Sequence, residues 1–396
     1  MRRSQFLRLS ALAMLSFPLY ACQGAPSSQD SAPTKQPVVS LGLSPTPPRA
    51  TPSPAATVAP AASPAPSPTI SPTAPPATPT VAPASPTPLP TNTTAPTSDG
   101  LPSFFDNATL LTIYGRAWDS APVLGRLALY SNVNDMAQEV ADFKVNLSKV
   151  NGGKKIIPVI HLIYGMAIPC SATGDCLYYL DTLKSQDLVA DYIVPAANKG
   201  YLVILDTQYG RADSLTQVKR MIDKGYLMYD NVHVALDPEF HIASPSQTIP
   251  GRPIGTVSVD EINAAQALLD DYVRKNSLPH RKILMVHQFG DPNVNDGVPD
   301  MIQNKKAMKT YPNVDLIICA DGFGSPDAKL TKYNRMTDPT VYPFIKYRAI
   351  KLFLDNPKAD QSRIDKPVTT FRMCFGVDPA PKGARSKYEP DCVVIA

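Results

Sequence analysis

The strongest constraint on the fold is a regular alternation of short apolar runs with helix-like stretches after residue 100. Eight such runs occur, at residues 110–116, 156–164, 201–206, 232–237, 283–288, 314–319, 349–355 and 393–396. Stretches with helical periodicity separate them, among them 134–150, 185–199, 214–224 and 258–275. Eight repeats of strand and helix predict an α/β fold, a (β/α)8 TIM barrel over residues 101–396. The alternative is an open doubly wound sheet, because the last run is short and lies at the terminus.

The first 100 residues differ in composition from the rest. Residues 1–22 combine three arginines with an apolar core that is too short to span a bilayer, as in an export signal. Residues 23–100 contain about half of the 43 prolines and no aromatic residue. Such a segment cannot bury enough apolar surface to fold, so we expect a disordered spacer rich in Pro, Thr, Ser and Ala.

The end of the export signal, Leu19-Tyr20-Ala21-Cys22, resembles the lipobox of bacterial lipoproteins. The resemblance implies that Cys22 is lipidated, that the cell membrane is a partner through this anchor, and that the protein is extracytoplasmic. An ordinary secretory signal with a chance cysteine is the alternative, and it also implies export.

The formal net charge of +4 arises in the signal and the spacer, so the charges of the folded part balance. With no basic run in that part, we expect no nucleic-acid partner.

Five cysteines lie in the predicted barrel. Cys170 and Cys176 bracket a polar loop and could form a disulfide in an exported protein, as could Cys374 and Cys392. Cys319 lies in an apolar run and is expected to be a buried thiol. No cysteine or histidine spacing indicates zinc, so neither a metal nor a cofactor is predicted.

The fourth run carries the strongest functional signal. Strand alternation places Val232, Val234 and Leu236 on one face and puts Asp237 and Glu239 at the carboxyl end of the other. Barrel enzymes present catalytic groups at this end of their strands.

The other runs have polar residues in corresponding positions. The residues predicted to face inward are Tyr114 and Arg116, His161 or Tyr164, Asp206 and Gln208, His287 or Gln288, Cys319 and Asp321, and Lys351 and Asp355. Carboxyl groups crowded in one pocket move each other's pKa values apart, which lets an acid coexist with a base or nucleophile.

This pattern resembles secreted TIM-barrel glycoside hydrolases, which cleave with paired carboxyl groups. Asp237-Pro238-Glu239 is similar to the Asp-x-Glu that ends the fourth strand of chitinase-like hydrolases, where the glutamate is the acid and the aspartate orients the substrate. In another clan the acid lies on strand four and the nucleophile on strand seven, which would make Asp355 the nucleophile. The residues expected to bind substrate are Asp206, Arg116, His287, Gln288, Asp321, Lys351, Trp118 and Tyr164.

A broader resemblance covers most of residues 105–396. Four segments, at 236–240, 254–263, 286–289 and 321–324, resemble uncharacterised bacterial surface lipoproteins. This resemblance implies the barrel fold but no established activity.

Two other functions stay open at this point. A metal-dependent hydrolase could draw ligands from His161, His233, His241 and His287 together with the aspartates, although no His-x-His pattern fixes a geometry. A non-catalytic surface lipoprotein that binds a glycan or a protein is the other alternative. The expected partner of the glycoside hydrolase is a polysaccharide or cell-wall glycan.

Overall fold

The computed structural model describes residues 100–120, 125–290, 300–355 and 364–396. The predicted signal peptide, Cys22 and nearly all of the predicted spacer lie outside the described residues.

Eleven strands are present in the described ranges: β1 (Ala108–Gly115), β2 (Lys155–Ala167), β3 (Leu177–Tyr179), β4 (Leu202–Thr207), β5 (Val232–Leu236), β6 (Val257–Ser258), β7 (Lys282–Gln288), β8 (Ile302–Gln303), β9 (Val314–Ala320), β10 (Tyr347–Leu352) and β11 (Cys392–Ile395). The helices are α1 (Val133–Ser148), α2 (Val194–Asn198), α3 (Ser214–Asp223), α4 (Val259–Lys275), α5 (Pro326–Met336) and α6 (Phe371–Cys374).

Eight parallel strands close into a barrel. Their order is β1-β2-β4-β5-β7-β9-β10-β11, and β11 pairs with both β10 and β1. The predicted TIM barrel is therefore confirmed, and the open sheet is wrong because the short last strand supplies the closing pair. Outside the barrel, β3 pairs antiparallel with β2, and β6 pairs with β8.

The helices follow the predicted periodicity in most places. Helix α4 begins after Ser258, whose hydroxyl accepts a hydrogen bond from the Glu261 backbone N–H at 3.2 Å, as in a capping box. The stretch predicted as one helix over 185–199 instead forms a π-helical turn, Val189–Ile193, that leads into α2. Pro195 lies in the first turn of α2, where its missing N–H interrupts the usual hydrogen-bond ladder.

The buried side chains form two layers separated by the barrel wall. The outer layer lies between strands and helices and includes Val232, Val234 and Leu236. The inner layer fills the barrel with the residues of the opposite parity, such as Ala235 and Met285. At the amino-terminal end, Phe105 belongs to this inner layer and stacks on Tyr347, with ring centroids 4.2 Å apart.

The structure confirms one of the two predicted cysteine pairings. Cys170 and Cys176 form the expected disulfide. The second pairing is wrong, because Cys374 and Cys392 are both free thiols. Cys374 packs in the outer layer and Cys392 in the inner layer, so the barrel wall separates the two. Cys319 is a buried free thiol, as predicted.

None of the helices within the described ranges is long and apolar enough to cross a membrane.

Candidate active site

Titratable side chains gather inside the barrel at the carboxyl ends of its strands. We call them the polar cluster: Tyr114, His161, Asp206, Asp237, Glu239, His287, Asp321 and Lys351. Seven of them lie on a strand or directly after one, at positions whose side chains face the barrel interior. The eighth, Glu239, lies in the 3-10 turn Pro238–Phe240 after β5. The alternation that directs apolar side chains outward thus directs these groups into one space.

The Asp206 carboxylate lies close to both imidazoles of the cluster. The Nε2 atom of His161 lies 3.0 Å from Asp206 Oδ2, and the Nε2 atom of His287 lies 3.2 Å from the same oxygen. All three side chains are inaccessible to solvent. Burial would raise the pKa of Asp206, but His287 and His161 outweigh it and hold that pKa below its ordinary value.

A second carboxylate, Asp321, joins the remaining charged groups. Its Oδ2 atom lies 2.9 Å from His287 Nδ1 and accepts a hydrogen bond from Lys351 Nζ at 2.8 Å. The Gly322 backbone N–H donates to the other oxygen, at 2.6 Å. Burial opposes ionisation of Asp321, but Lys351 and His287 lower its pKa overall. Lys351 also lies over the Tyr114 ring, 3.7 Å from its centroid, so the buried ammonium has both a counter-ion and an aromatic neighbour.

The two imidazoles differ in their tendency to hold a proton. Burial lowers the pKa of His161 to about 4, so this ring is neutral near pH 7. Burial and Lys351 also lower the pKa of His287, but Cys319 and the Asp206 carboxylate outweigh them and raise it well above the ordinary value. In the absence of other cations, His287 and Lys351 therefore balance Asp206 and Asp321.

Asp237 and Glu239 stand apart from this network. No residue in the described ranges hydrogen-bonds the carboxyl group of either one. Burial raises the pKa of Asp237 to about 7, against the opposing effect of His287. Burial, followed by the Asp237 and Asp321 carboxylates, raises the pKa of Glu239 to about 8. The pair therefore gains or loses protons near neutral pH, as an acid–base pair must.

No protein-family model matches the chain, and no curated protein sequence matches it. Among solved structures it is similar to the glycoside hydrolase family 26 domain of an endo-β-mannanase/endo-β-glucanase from Prevotella bryantii. The TM-score is 0.33 and the sequence identity is 12%, over 74% of this chain and 85% of that domain.

Several residues expected at the site lie elsewhere. Asp355 is exposed to solvent, because β10 ends three residues earlier and the alternation that places Lys351 inside no longer applies. Tyr164 faces the outer layer, where its hydroxyl donates to Asp181 at 3.0 Å. Gln288 also faces outward and accepts a hydrogen bond from Lys305 Nζ at 2.7 Å.

The remaining predicted contacts lie near the carboxyl end of β1. Trp118 is buried in the outer layer and stacks on Tyr192, with ring centroids 4.9 Å apart. Arg116 directly follows β1 and is partly exposed, with a guanidinium nitrogen 2.6 Å from the sulfur of Met166. Of the two, Arg116 is the one with a charged group accessible to a ligand.

Two members of the polar cluster are candidates for inward positions in the sequence but are not among the predicted catalytic or substrate-binding residues. Tyr114 and His161 both have the inward parity, and that parity is visible in the sequence. For β2 the pattern left a choice between His161 and Tyr164, since apolar residues occupy both faces of a barrel strand. The other histidines lie away from Asp206: His233 contacts Phe104 at the amino-terminal end, and His241 Nδ1 lies 2.6 Å from the Thr256 carbonyl.

A groove of about 1060 Å³ lies at the opposite, amino-terminal end of the barrel. Its lining includes Arg281 and Asp315, which pair with each other at 3.4 Å. In this fold the catalytic groups sit at the carboxyl ends of the strands, so the polar cluster is the candidate site and the groove is not.

Proposed function

We propose that this protein is an extracytoplasmic glycoside hydrolase in which Glu239 is the general acid and Asp237 its carboxylate partner. The proposal rests on the position of these two carboxyl groups, their lack of hydrogen bonds from described residues and their raised pKa values. They lie at the carboxyl end of β5, they have no hydrogen-bond partner in the described ranges, and their pKa values are raised to about 8 and about 7.

The order of the two pKa values supports this assignment of roles. Near pH 7.5 the group with the higher pKa, Glu239, keeps its proton and can give it to the leaving oxygen of a glycosidic bond. Asp237 loses its proton first and supplies the negative charge that activates water or stabilises an oxocarbenium-like transition state. This division follows the rule that neighbouring carboxyl groups with separated pKa values take the acid and base roles.

The rest of the polar cluster supports this pair. Asp321 and Lys351 carry opposite charges beside Glu239, and both contribute to its pKa. We infer that their contact fixes the electric field in which Glu239 titrates. Arg116, partly exposed after β1, is the proposed contact to the substrate, which we infer to be a polysaccharide or cell-wall glycan.

The proposal includes attachment to the cell membrane through a lipid on Cys22, with the Pro-rich segment as a spacer. The support is the lipobox-like sequence and the composition of residues 23–100. Detergent phase partitioning tests it: the parent should enter the detergent phase and Cys22→Ser the aqueous phase, whereas equal partitioning of both would contradict the anchor.

Substitution of the two carboxyl groups tests the chemistry. A panel of plant and bacterial cell-wall polysaccharide fragments is incubated with the parent, Glu239→Gln and Asp237→Asn, and reducing ends are measured. We expect each variant to lose a factor of about 100 to 10,000 in kcat, as is typical when a general acid or base is removed. The matched control is Asp260→Asn, an exposed carboxylate in the first turn of α4, which should keep the parental rate.

Three outcomes separate the proposal from its alternatives. Parental rates in both site variants would refute the paired-carboxyl mechanism. Fragments that bind to the parent without being cleaved would identify a non-catalytic binding protein. A large loss of activity in Asp355→Asn would restore Asp355, exposed after β10, as the nucleophile.

A metal-dependent hydrolase is the second candidate function. It is favoured by the placement of His161, Asp206 and His287, whose potential ligand atoms all lie within 4.8 Å of one another. Activity that disappears with a chelator and returns with added metal would identify this function. Activity that is indifferent to chelation would leave the carboxyl pair as the catalyst.

A further inference from the structure

We infer that His161, Asp206 and His287 form a binding site for one divalent transition-metal ion inside the barrel. The inference goes beyond the carboxyl-pair chemistry and stands whether or not Glu239 is the acid. Each residue comes from a different strand, β2, β4 or β7, and all three are buried.

The geometry brings three ligand atoms of the right type to one point. Two imidazole nitrogens and one carboxylate oxygen lie within 4.8 Å of one another. In zinc sites the metal–ligand distances are about 2.0–2.2 Å, so ligands around one ion are separated by roughly 3–4 Å. Small side-chain adjustments would bring this set to that separation.

Buried polar atoms of these residues lack hydrogen-bond partners in the described part of the chain. Among the described residues, His287 Nε2 and Asp206 Oδ1 have no hydrogen-bond partner, although both are shielded from solvent. His287 Nε2 lies 3.2 Å from Asp206 Oδ2, but the angle does not make a hydrogen bond. Buried polar atoms without hydrogen-bond partners are uncommon in folded proteins, and a bound ion is one cause of them. A cation bound by the imidazole and the carboxylate would give His287 Nε2 a partner.

The surroundings hold His287 in the orientation that a metal requires. Asp321 Oδ2 lies 2.9 Å from His287 Nδ1, so the proton between them belongs on Nδ1, and Nε2, which lies beside Asp206, is the nitrogen that a metal could bind by displacing its proton. A carboxylate that accepts from the distal nitrogen of a ligating histidine is the usual support around metal sites. Lys351 and the Gly322 N–H fix Asp321 in turn.

The ligand set indicates which ions fit. Imidazole nitrogens favour Zn²⁺, Fe²⁺, Co²⁺ or Ni²⁺, whereas Mg²⁺ and Ca²⁺ prefer sites made of oxygen alone. Three protein ligands also leave coordination positions for water or a substrate oxygen.

Cobalt binding is the direct test, because Co²⁺ absorbs visible light when it is coordinated by protein ligands. The full-length protein is treated with a chelator, dialysed and titrated with CoCl₂ and, separately, with ZnCl₂ in a calorimeter. We expect one equivalent of each ion to bind, with new visible absorption bands for Co²⁺, and no binding of 1 mM MgCl₂. Less than one tenth of an equivalent bound by the folded parent would overturn the inference.

Variants locate the ion. His287→Ala and His161→Gln should each weaken Co²⁺ binding at least tenfold, and Asp321→Asn should weaken it about 10- to 100-fold through loss of support for His287. The matched control is His280→Gln, because His280 is partly exposed and pairs with Asp230 away from the cluster. Circular dichroism establishes that each variant is folded. Undiminished binding by folded His287→Ala would refute this site.

Activity and metal binding can fail separately. Glu239→Gln should retain one equivalent of Co²⁺ even if it loses hydrolysis. A parent that hydrolyses glycans but binds no Co²⁺ would refute the metal site and leave the acid pair.

Discussion

Replacing Glu239 by glutamine should stabilise the fold at alkaline pH. Burial, together with Asp237 and Asp321, raises the pKa of Glu239 from the ordinary 4.5 to about 8. Below pH 4.5 both the folded and unfolded states hold the proton, so the group does not affect the free energy of unfolding. Between these pKa values the unfolded state releases the proton and the folded state keeps it, so the free energy of unfolding falls as the pH rises. The loss is complete above pH 8.

The size of the effect follows from the two pKa values. At about 1.4 kcal/mol per pKa unit, the change from 4.5 to about 8 sets a ceiling of about 5 kcal/mol. Two features of the structure reduce it. Glu239 is partly exposed, so water screens part of its charge, and it titrates together with Asp237, so the two carboxyl groups share the penalty. We therefore expect Glu239→Gln to exceed the parent by about 2–4 kcal/mol at pH 8.5 and to equal it near pH 4.5.

Urea denaturation followed by circular dichroism measures this difference. The parent, Glu239→Gln and the exposed control Asp260→Asn are unfolded at several values between pH 4.5 and 8.5, with a chelator present so that no bound cation offsets the carboxylates. The gap between Glu239→Gln and the parent should widen steadily with pH, while Asp260→Asn follows the parent. A gap that is constant with pH, or a variant less stable than the parent at pH 8.5, would refute the reasoning.

Two further changes test other contacts. Lys351→Met removes the buried counter-ion of Asp321 and should lower the free energy of unfolding by about 3–5 kcal/mol. The double variant Lys351→Met/Asp321→Asn should recover part of this loss. A double variant whose loss equals the sum of the two single losses would contradict the pairing. Cys170→Ser removes the disulfide to Cys176 and should lower the free energy of unfolding, measured in urea without reductant, by about 2 kcal/mol. Reductant should lower the stability of the parent by the same amount and should leave the stability of the variant unchanged.

The barrel could be predicted because its signal is repeated. Eight runs with the same period appear as the eight barrel strands, and on β5 the outward residues Val232, Val234 and Leu236 leave one possible parity for Asp237. The period of two then fixes which face each side chain takes.

The same pattern could not decide the parity of β2. Both faces of a barrel strand are buried, so His161 and Tyr164 were equally acceptable from hydropathy alone. Nor could it show where β10 ends. Leu352 is the last residue of that strand, and Phe353 N–H already bonds to Asp365 Oδ2 instead of a neighbouring strand. An end of this kind depends on contacts distant in sequence, so the predicted common face of Lys351 and Asp355 is lost there.

The interior of the barrel changes character along its axis, and this change argues for function more strongly than any single contact. Near the amino-terminal end apolar side chains such as Ile157, Leu202 and Ile283 fill it, which is the ordinary solution for a (β/α)8 core. Toward the carboxyl end the same strands carry ionisable groups, although branched apolar residues would fill that space without desolvating charge. Burial raises the pKa values of Glu239 and Asp237, and no hydrogen bond from the described residues offsets it, so the two groups lower the stability of the fold at neutral and alkaline pH. Groups that destabilise the fold at the end of the barrel where this architecture places catalysts support the proposed chemistry.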